Sequence, residues 1–151
     1  MTRPQIFLRE DARRIAAGLV RYHFEEFVNR KNHDVVFETV AENFLDHDGP
    51  GGRPADREGD RQMMIALHRQ IPDLHVSIED LIVEEDKVVC RNAWTGTDSS
   101  ARRIEFKGIV IWRIADGKLV ERWATVTPPS ITSAQTFGAT ESHTYAQVDS
   151  A

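Results

Sequence analysis

The spacing of apolar residues changes once along the chain, from a helical period to strict alternation. Before Pro72 apolar side chains recur every three or four positions, as at Met64, Leu67 and Ile71. From Leu74 onward they alternate with polar ones, because successive side chains of a strand point to opposite faces. Helices first and strands afterwards are typical of an α+β domain, not of repeated βαβ units.

The pattern predicts three helices, at about residues 12–29, 34–40 and 57–70, the last ending before Pro72. A short strand is expected at residues 43–48, followed by a loop rich in glycine and proline up to residue 56. The remaining strands are expected at about residues 74–84, 87–96, 102–114 and 119–127.

The clearest strand pattern lies in residues 103–127, where Asp116-Gly117 separates two long apolar stretches. Both residues tolerate the positive φ of a tight hairpin turn. Ile109 and Ile111 make the first of these strands apolar on both faces, so it should be central in the sheet. Helices would cover one face, and we expect the functional site on the second face; the alternation does not show which of the two faces this is.

Composition argues against several classes of protein but does not identify one. The 151 residues include 19 basic and 24 acidic ones, for a net charge of −5, which argues against nucleic acid or an anionic membrane as a partner. No apolar run is long enough to span a bilayer, and the N-terminus lacks the apolar core of a signal peptide. A lone cysteine, Cys90, cannot form an internal disulfide and fits a cytoplasmic location.

One domain is predicted for residues 1–127. From Pro128 the chain is rich in Ser, Thr, Ala and Gln, and such a segment buries too little apolar area to offset its ordering entropy. We therefore expect residues 128–151 to form a flexible C-terminal tail, or a segment that lies over a partner subunit.

Five short motifs occur in a fixed order along most of the chain. They are Phe44-Leu45-Asp46-His47-Asp48, Ile71-Pro72-Asp73-Leu74, Glu84-Glu85-Asp86-Lys87-Val88-Val89, Trp94-Thr95-Gly96-Thr97, and Phe106-Lys107-Gly108-Ile109 followed by residues 113–123. Through them the chain, from about residue 12 to 127, resembles the SnoaL-like polyketide cyclase family of the nuclear transport factor 2-like superfamily. The resemblance implies a strongly curved antiparallel sheet wrapped around the N-terminal helices as a cone-shaped α+β barrel. It also implies a hydrophobic small-molecule substrate in a conical pocket, no cofactor, and a homodimer.

His47 and Tyr22 are candidate catalytic residues. His47 stands between Asp46 and Asp48, and an imidazole titrates close to neutral pH; the resembled family keeps a histidine here at its pocket. The alternative is a strand-end histidine bonded to a loop backbone. Tyr22 could donate its hydroxyl to a substrate carbonyl. No metal site is predicted, because adjacent residues of a strand diverge and nothing completes a ligand set.

Glu121 is the third candidate catalytic residue. The resembled cyclases typically carry an acid/base aspartate a few residues after the tryptophan, but Trp123 is followed here by Ala124-Thr125-Val126-Thr127. If Glu121 faces the cavity, it could replace that carboxylate, with a pKa raised by desolvation. The alternative is a cross-strand ion pair with Arg113 or Arg103.

The substrate is expected to contact polar and aromatic positions on the strands. Trp94 could stack on a flat ligand, although it could equally be a core residue. The predicted substrate-binding residues are Asn92, Trp94, Ile109, Ile111, Trp123 and Thr127.

The sequence leaves the chemistry open between two kinds of ring closure and a rival class. An acid/base, aldol-type cyclisation or isomerisation would use His47 or Glu121 as base and Tyr22 or Asn92 as donor. A pericyclic closure would need only a cavity that restricts the conformation of the substrate. The rival is a non-catalytic small-molecule-binding or dimerisation module with the same fold.

Overall fold

The computed structural model describes residues 5–133, and the side chains of residues 8–130. Three α-helices are present, α1 (Gln5–Phe24), α2 (Val36–Thr39) and α3 (Arg57–Gln70). The strands are β1 (Val40–Asp46), β2 (His75–Glu84), β3 (Lys87–Thr97), β4 (Arg102–Ala115), β5 (Lys118–Val126) and β6 (Ser130–Ser133). The α+β class predicted from the sequence is confirmed.

The strands form one sheet in the order β1-β5-β4-β3-β2, and β6 pairs with β4 off this path. The pairs from β2 to β5 are antiparallel, as expected, but β1 runs parallel to β5. The sheet is therefore mixed, which corrects the expectation of a wholly antiparallel one. No hairpin joins β1 to β5, since α3 and three strands separate them along the chain, so nothing forces these two neighbours to be antiparallel.

The hairpin between β4 and β5 has the predicted turn. Asp116 and Gly117 have φ values of 50° and 73°, and Ala115 pairs with Lys118 across the turn. Two successive positive φ values match the twist of the flanking strands, which explains why Asp-Gly occurs here.

The helices differ more from prediction than the strands do. α1 begins at Gln5, seven residues before the expected start, because neither proline nor glycine interrupts residues 5–17. Its C-terminal end continues into a π-helical turn, Glu25–Asn29. The expected second helix is a 3₁₀ turn, His33–Val35, followed by the single turn of α2.

The helices cover the sheet face that carries Trp94 and Trp112. Phe24 of α1 packs edge-on against both indoles, with ring centroids 6.2 and 5.9 Å apart. The other face is open, and Ile109 on that face is 53% exposed. β4 is central in the sheet, between β5 and β3, as expected, but the helices cover only one of its faces.

The predicted C-terminal tail lies largely outside the described residues. Its first part does belong to the sheet, because Ile131 of β6 pairs with Ile104 of β4. Of the helices that the structure describes, none has the length and apolar character needed to cross a membrane.

Gly96 allows α3 to end against the sheet. A Cβ at this position would lie 2.2 Å from Cγ2 of Ile71, the residue that follows α3. Gly18 in α1 is the opposite case, since a Cβ there would meet no atom within 4 Å.

We expect Gly96→Ala to lower the free energy of unfolding by about 1–3 kcal/mol, because the methyl group overpacks the helix–sheet contact. The matched control Gly18→Ala should raise it by about 0.5–1 kcal/mol, since alanine is the better helix former. Urea denaturation measures both. Equal effects of the two substitutions would contradict the close contact.

Candidate functional site

A cavity of about 780 Å³ lies between the helices and the covered face of the sheet. Its volume falls in the range of small-molecule sites, about 300–1,000 Å³. Aromatic and aliphatic side chains form most of the wall, from Phe24, Phe27, Met64, Trp94, Ile104, Phe106 and Trp112. The polar lining residues include His23, Asp60 and Arg122.

Two flat rings form part of this wall. Trp94 of β3 and Phe106 of β4 are directly opposite each other in the antiparallel register. Their rings are stacked, with centroids 5.3 Å apart and planes at 9°. Such a surface suits a planar, apolar ligand.

One lining residue, Arg122, forms an ion pair with a buried carboxylate behind the cavity wall. Asp46, at the end of β1, is fully buried, and its Oδ2 accepts a hydrogen bond of 2.7 Å from Nη1 of Arg122. The two residues are partners in the parallel register between β1 and β5. Arg122 also lies over the Trp112 ring, 5.7 Å from its centroid. The guanidinium is thus held between a carboxylate and an aromatic face.

The loop after β1 turns back and brings a second carboxyl group to this pair. Asp46 and Ala55 exchange two backbone hydrogen bonds, of 2.8 and 2.9 Å. Gly49 permits this return, because a Cβ there would lie 2.6 Å from the Cβ of Ala55. Asp56 then caps α3 by accepting from the backbone N–H of Gly59 at 2.7 Å. Asp60 follows one turn later.

Asp60 is the most perturbed carboxyl group of the site. The residue is 8% exposed, it lies beside the carboxyl group of Asp46, and its Oδ1 has no partner among the residues described. Burial, and then the charge of Asp46, raise the pKa of Asp60 to about 8, although Arg122 acts in the opposite direction. Asp60 therefore keeps its proton at neutral pH.

His23 lines the same cavity from α1. Its Nδ1 is 2.7 Å from Oγ1 of Thr39, and its ring packs against Phe27 and Trp112 with centroids 5.0 and 5.3 Å apart. Burial, and then the charge of Arg122, lower the pKa of His23 to about 3. The imidazole is neutral at physiological pH.

Two of the predicted catalytic residues lie together, but on the open face of the sheet. His47 Nε2 is 2.8 Å from Oε2 of Glu121, and Oε1 of Glu121 accepts from Nε of Arg113 at 2.7 Å. These two partners lower the pKa of Glu121, in contrast to the rise expected for a carboxylate inside a cavity. The ion pair with Arg113, which the sequence left open as the alternative, is present.

The predicted wall residues are divided between the two faces. Ile109, Ile111 and Trp123 do not line the cavity, and Trp123 stacks on His47 with centroids 4.8 Å apart. The placement expected for these three is corrected, because the helices cover the opposite face of β4 and β5. Trp94 and Thr127 do line the cavity.

The two remaining predicted residues lie outside the cavity lining. Tyr22 is 44% exposed and donates to Oε2 of Glu38 at 3.0 Å, while the next residue, His23, lines the cavity. Asn92 is buried, and its Oδ1 finds no partner within the described part of the chain.

Sequence reasoning missed Asp60 and Arg122, and it favoured Tyr22 over its neighbour His23. A signal for Asp60 existed, because it precedes Met64, Leu67 and Ile71 at helical spacing and so belongs to the buried side of α3. Between residues 5 and 133, no group of three or more His, Cys, Asp or Glu side chains is arranged to hold a metal ion.

Comparisons with known proteins agree with this architecture. The family model described as SnoaL-like polyketide cyclase matches residues 18–127. A candidate polyketide cyclase from Bacillus cereus ATCC 10987 is 33% identical, with a TM-score of 0.67 and 74% of each chain covered. A search of the curated proteins finds no match.

More distant structures share the fold. IdmH, a candidate polyketide cyclase from Streptomyces antibioticus, is 23% identical, with a TM-score of 0.67 over 74% of this chain and 91% of its own. AclR, a candidate hydroxylase from Streptomyces galilaeus, is 18% identical, with a TM-score of 0.66 over 74% and 88% of the two chains. With the family model covering most of the chain, the protein belongs to the SnoaL-like polyketide cyclase family.

Proposed function

We propose that the protein catalyses, without a cofactor, ring closure or isomerisation of a hydrophobic, polyketide-like molecule by acid/base chemistry in this cavity. The observation that carries the proposal is the buried carboxyl group of Asp60, which lines an apolar cavity beside the Asp46–Arg122 ion pair. A carboxyl group whose pKa is raised by burial and by a charged neighbour is typical of an acid/base catalyst.

In this mechanism the ionised form of Asp60 removes a proton from a carbon next to a substrate carbonyl. The C–H bond breaks, its electron pair forms an enolate, and the proton stays on Asp60. The enolate carbon then forms the new C–C bond with a second carbonyl carbon, whose oxygen becomes an alkoxide. Asp60 returns its proton to that alkoxide, so that the carboxylate is regenerated and no other reactant is needed.

The neighbouring groups support these steps. The guanidinium of Arg122 lines the cavity and is positively charged, so it stabilises negative charge on an enolate or alkoxide oxygen. The carboxylate of Asp46 keeps Arg122 in place through the 2.7 Å hydrogen bond. The ordinary pKa of an aspartate is about 4, so a value of about 8 makes Asp60 a stronger base.

The stacked rings of Trp94 and Phe106 would bind the flat, apolar part of the substrate. His47 and Glu121, which the sequence suggested as bases, hydrogen-bond to each other on the other face of the sheet. The proposal therefore moves the acid/base role from them to Asp60.

Exchange of carbon-bound hydrogen in D₂O tests this chemistry without the natural substrate. We expect the protein to accelerate exchange of the α-hydrogens of 2-tetralone, a flat bicyclic ketone, followed by NMR. Asp60→Asn should lower the catalysed rate at least 100-fold, since an amide is not a base. The rate should rise about tenfold per pH unit below pH 8 and level off above it, as Asp60 ionises.

Two further variants, Asp34→Asn and Glu121→Gln, serve as controls for this experiment. Asp34→Asn is the matched control, because it makes the same chemical change at an exposed carboxylate paired with Arg61. Loss of exchange in Glu121→Gln with full activity in Asp60→Asn would contradict the role of Asp60. Binding of the ketone without exchange would favour the non-catalytic module or a pericyclic closure.

The stability of Asp60→Asn provides a second prediction. In the wild type the folded state keeps the proton of Asp60 up to about pH 8, while the unfolded chain releases it near pH 4, so stability contributed by this group is lost as pH rises between these values. Asparagine does not ionise, so the Asp60→Asn variant does not lose this stability as pH rises. The stability advantage of Asp60→Asn should therefore grow by roughly 2–3 kcal/mol between pH 5 and pH 7, at about 1.4 kcal/mol per unit. Urea denaturation at the two pH values measures this difference. An unchanged difference would show that Asp60 ionises normally.

The open face of the sheet is proposed to pair with a second copy of the chain. Ile82, Val89, Ile111 and Trp123 are successive partners across four strands and form a continuous apolar row. Ile82 is 63% exposed, and the helices pack on the other face. A row of this kind at the centre of a sheet face favours burial against an identical surface.

If this row forms the interface, Ile82→Lys should convert a homodimer into a monomer in sedimentation equilibrium, because it would bury a charge without a partner. Because Ile82 is exposed in the single chain, the substitution should not disturb the fold, and the secondary structure seen by circular dichroism should be unchanged. A wild-type protein that is monomeric at high concentration would contradict the interface.

A further inference from the structure

His23 is a buried polar side chain that the proposed reaction does not use. Only 3% of its surface is exposed, and it lines the cavity. Its hydrogen bond with Thr39 fixes which ring nitrogen carries the hydrogen, and this in turn fixes what the other nitrogen offers to a ligand.

The hydroxyl oxygen of Thr39 contacts two groups. It lies 2.7 Å from Nδ1 of His23 and 2.9 Å from the backbone carbonyl oxygen of Val35. A carbonyl cannot donate, so the contact with Val35 is a hydrogen bond only if the single hydroxyl hydrogen of Thr39 is directed to it. The contact with His23 is then a hydrogen bond only if Nδ1 donates. The hydrogen of the neutral ring is therefore on Nδ1, and Nε2 carries a lone pair.

The lone pair on Nε2 is available as a hydrogen-bond acceptor. Burial lowers the pKa of His23 to about 3, so Nε2 remains unprotonated at neutral pH and is too weak a base to remove a proton from carbon. No hydrogen bond from another described residue reaches this nitrogen. An apolar ligand that displaces water from the cavity would leave Nε2 without a hydrogen-bond partner, which lowers the affinity of such a ligand.

A ligand hydroxyl prevents this loss of affinity, whereas a carbonyl or an ether oxygen cannot, because neither has a hydrogen to donate. The ring of Trp112, 5.3 Å from that of His23, adds an apolar surface beside this acceptor.

We propose that His23 is a specificity-determining residue whose Nε2 accepts a hydrogen bond from a hydroxyl group of the substrate, so that the cavity selects phenolic or enolic molecules. The inference rests on the proposed function, because it requires that the cavity binds the substrate. The inference specifies that the substrate carries a hydroxyl group at the position that contacts His23 of α1.

A matched pair of ligands tests this selectivity by isothermal titration calorimetry. The probes are 2-naphthol and its methyl ether, 2-methoxynaphthalene, which has the same rings but no hydrogen to donate. We expect the wild type to bind 2-naphthol at least fivefold more tightly, despite the additional methyl group of the ether. In His23→Phe the aromatic ring is kept and the acceptor is lost, so the preference should disappear. A general loss of packing would weaken both ligands equally.

A second measurement does not depend on how His23→Phe folds. Nitrogen-15 NMR of the wild-type imidazole should show the hydrogen on Nδ1 and none on Nε2 from pH 6 to pH 8. In Thr39→Val the hydroxyl that fixes this tautomer is absent, so the tautomers should mix and the preference for 2-naphthol should decrease. A hydrogen found on Nε2 in the wild type would overturn the inference.

The remaining outcomes separate this inference from the proposed function. Equal affinity of the wild type for both probes, or a preference retained in His23→Phe, would overturn the role of His23 while hydrogen exchange by Asp60 could still be observed. Failure of the wild type to bind either probe would overturn both proposals together.

Discussion

The buried ion pair of Asp46 and Arg122 is the interaction on which the site depends. A charge removed from water must be paired, because an isolated buried charge costs several kcal/mol. The pairing requires that β1 lies parallel to β5 in this one register, since a shift by one residue would turn Asp46 to the open face. The same register lets the carboxylate of Asp48 accept from the backbone N–H of Ala124 at 2.8 Å. The position of β1 then fixes the returning loop and the start of α3.

The cluster of Asp46, Arg122 and Asp60 lowers the stability of the fold, but it provides the perturbed carboxyl group that the proposed reaction needs. The Asp46–Arg122 pair leaves no equivalent cation for Asp60, which is next to Asp46 and therefore keeps its proton. A folded protein gains nothing from a buried carboxyl group with an unpaired oxygen, and a hydrophobic residue of similar size would cost less. Costs of this kind occur mainly where chemistry needs a perturbed group. The proposed reaction therefore explains this cluster better than the fold does.

Local signals in the sequence predicted the elements well, and tertiary contacts decided the rest. α3 has the predicted bounds, and β4 ends one residue later than predicted, because Asp116-Gly117 and Pro72 act on their immediate neighbours. Alternation divides a strand into two faces but does not show which one the helices cover. For this reason Ile109 and Ile111 were expected in the cavity wall, whereas they lie on the open face of the sheet. The parallel pairing of β1 with β5 joins residues far apart in the chain, so no local pattern could show it. Among the predicted site residues, only Trp94 and Thr127 line the cavity.

The protonation states explain how one cavity can bind a neutral molecule and still stabilise an anion. At neutral pH the charges of Asp46 and Arg122 offset each other, and Asp60 and His23 are uncharged. Arg102, a further cation among the lining residues that the structure describes, is paired with Asp98. Each of these two arginines therefore has a carboxylate partner, which makes the site better suited to an uncharged, hydrophobic ligand than to an anion. In the proposed reaction, the ionised form of Asp60 takes a proton from carbon, and its negative charge passes to the enolate. The number of charges in the cavity does not change in this step, so no new charge has to be desolvated. The charge instead spreads over a larger group beside Arg122, which favours the transition state over the compact carboxylate that burial destabilises.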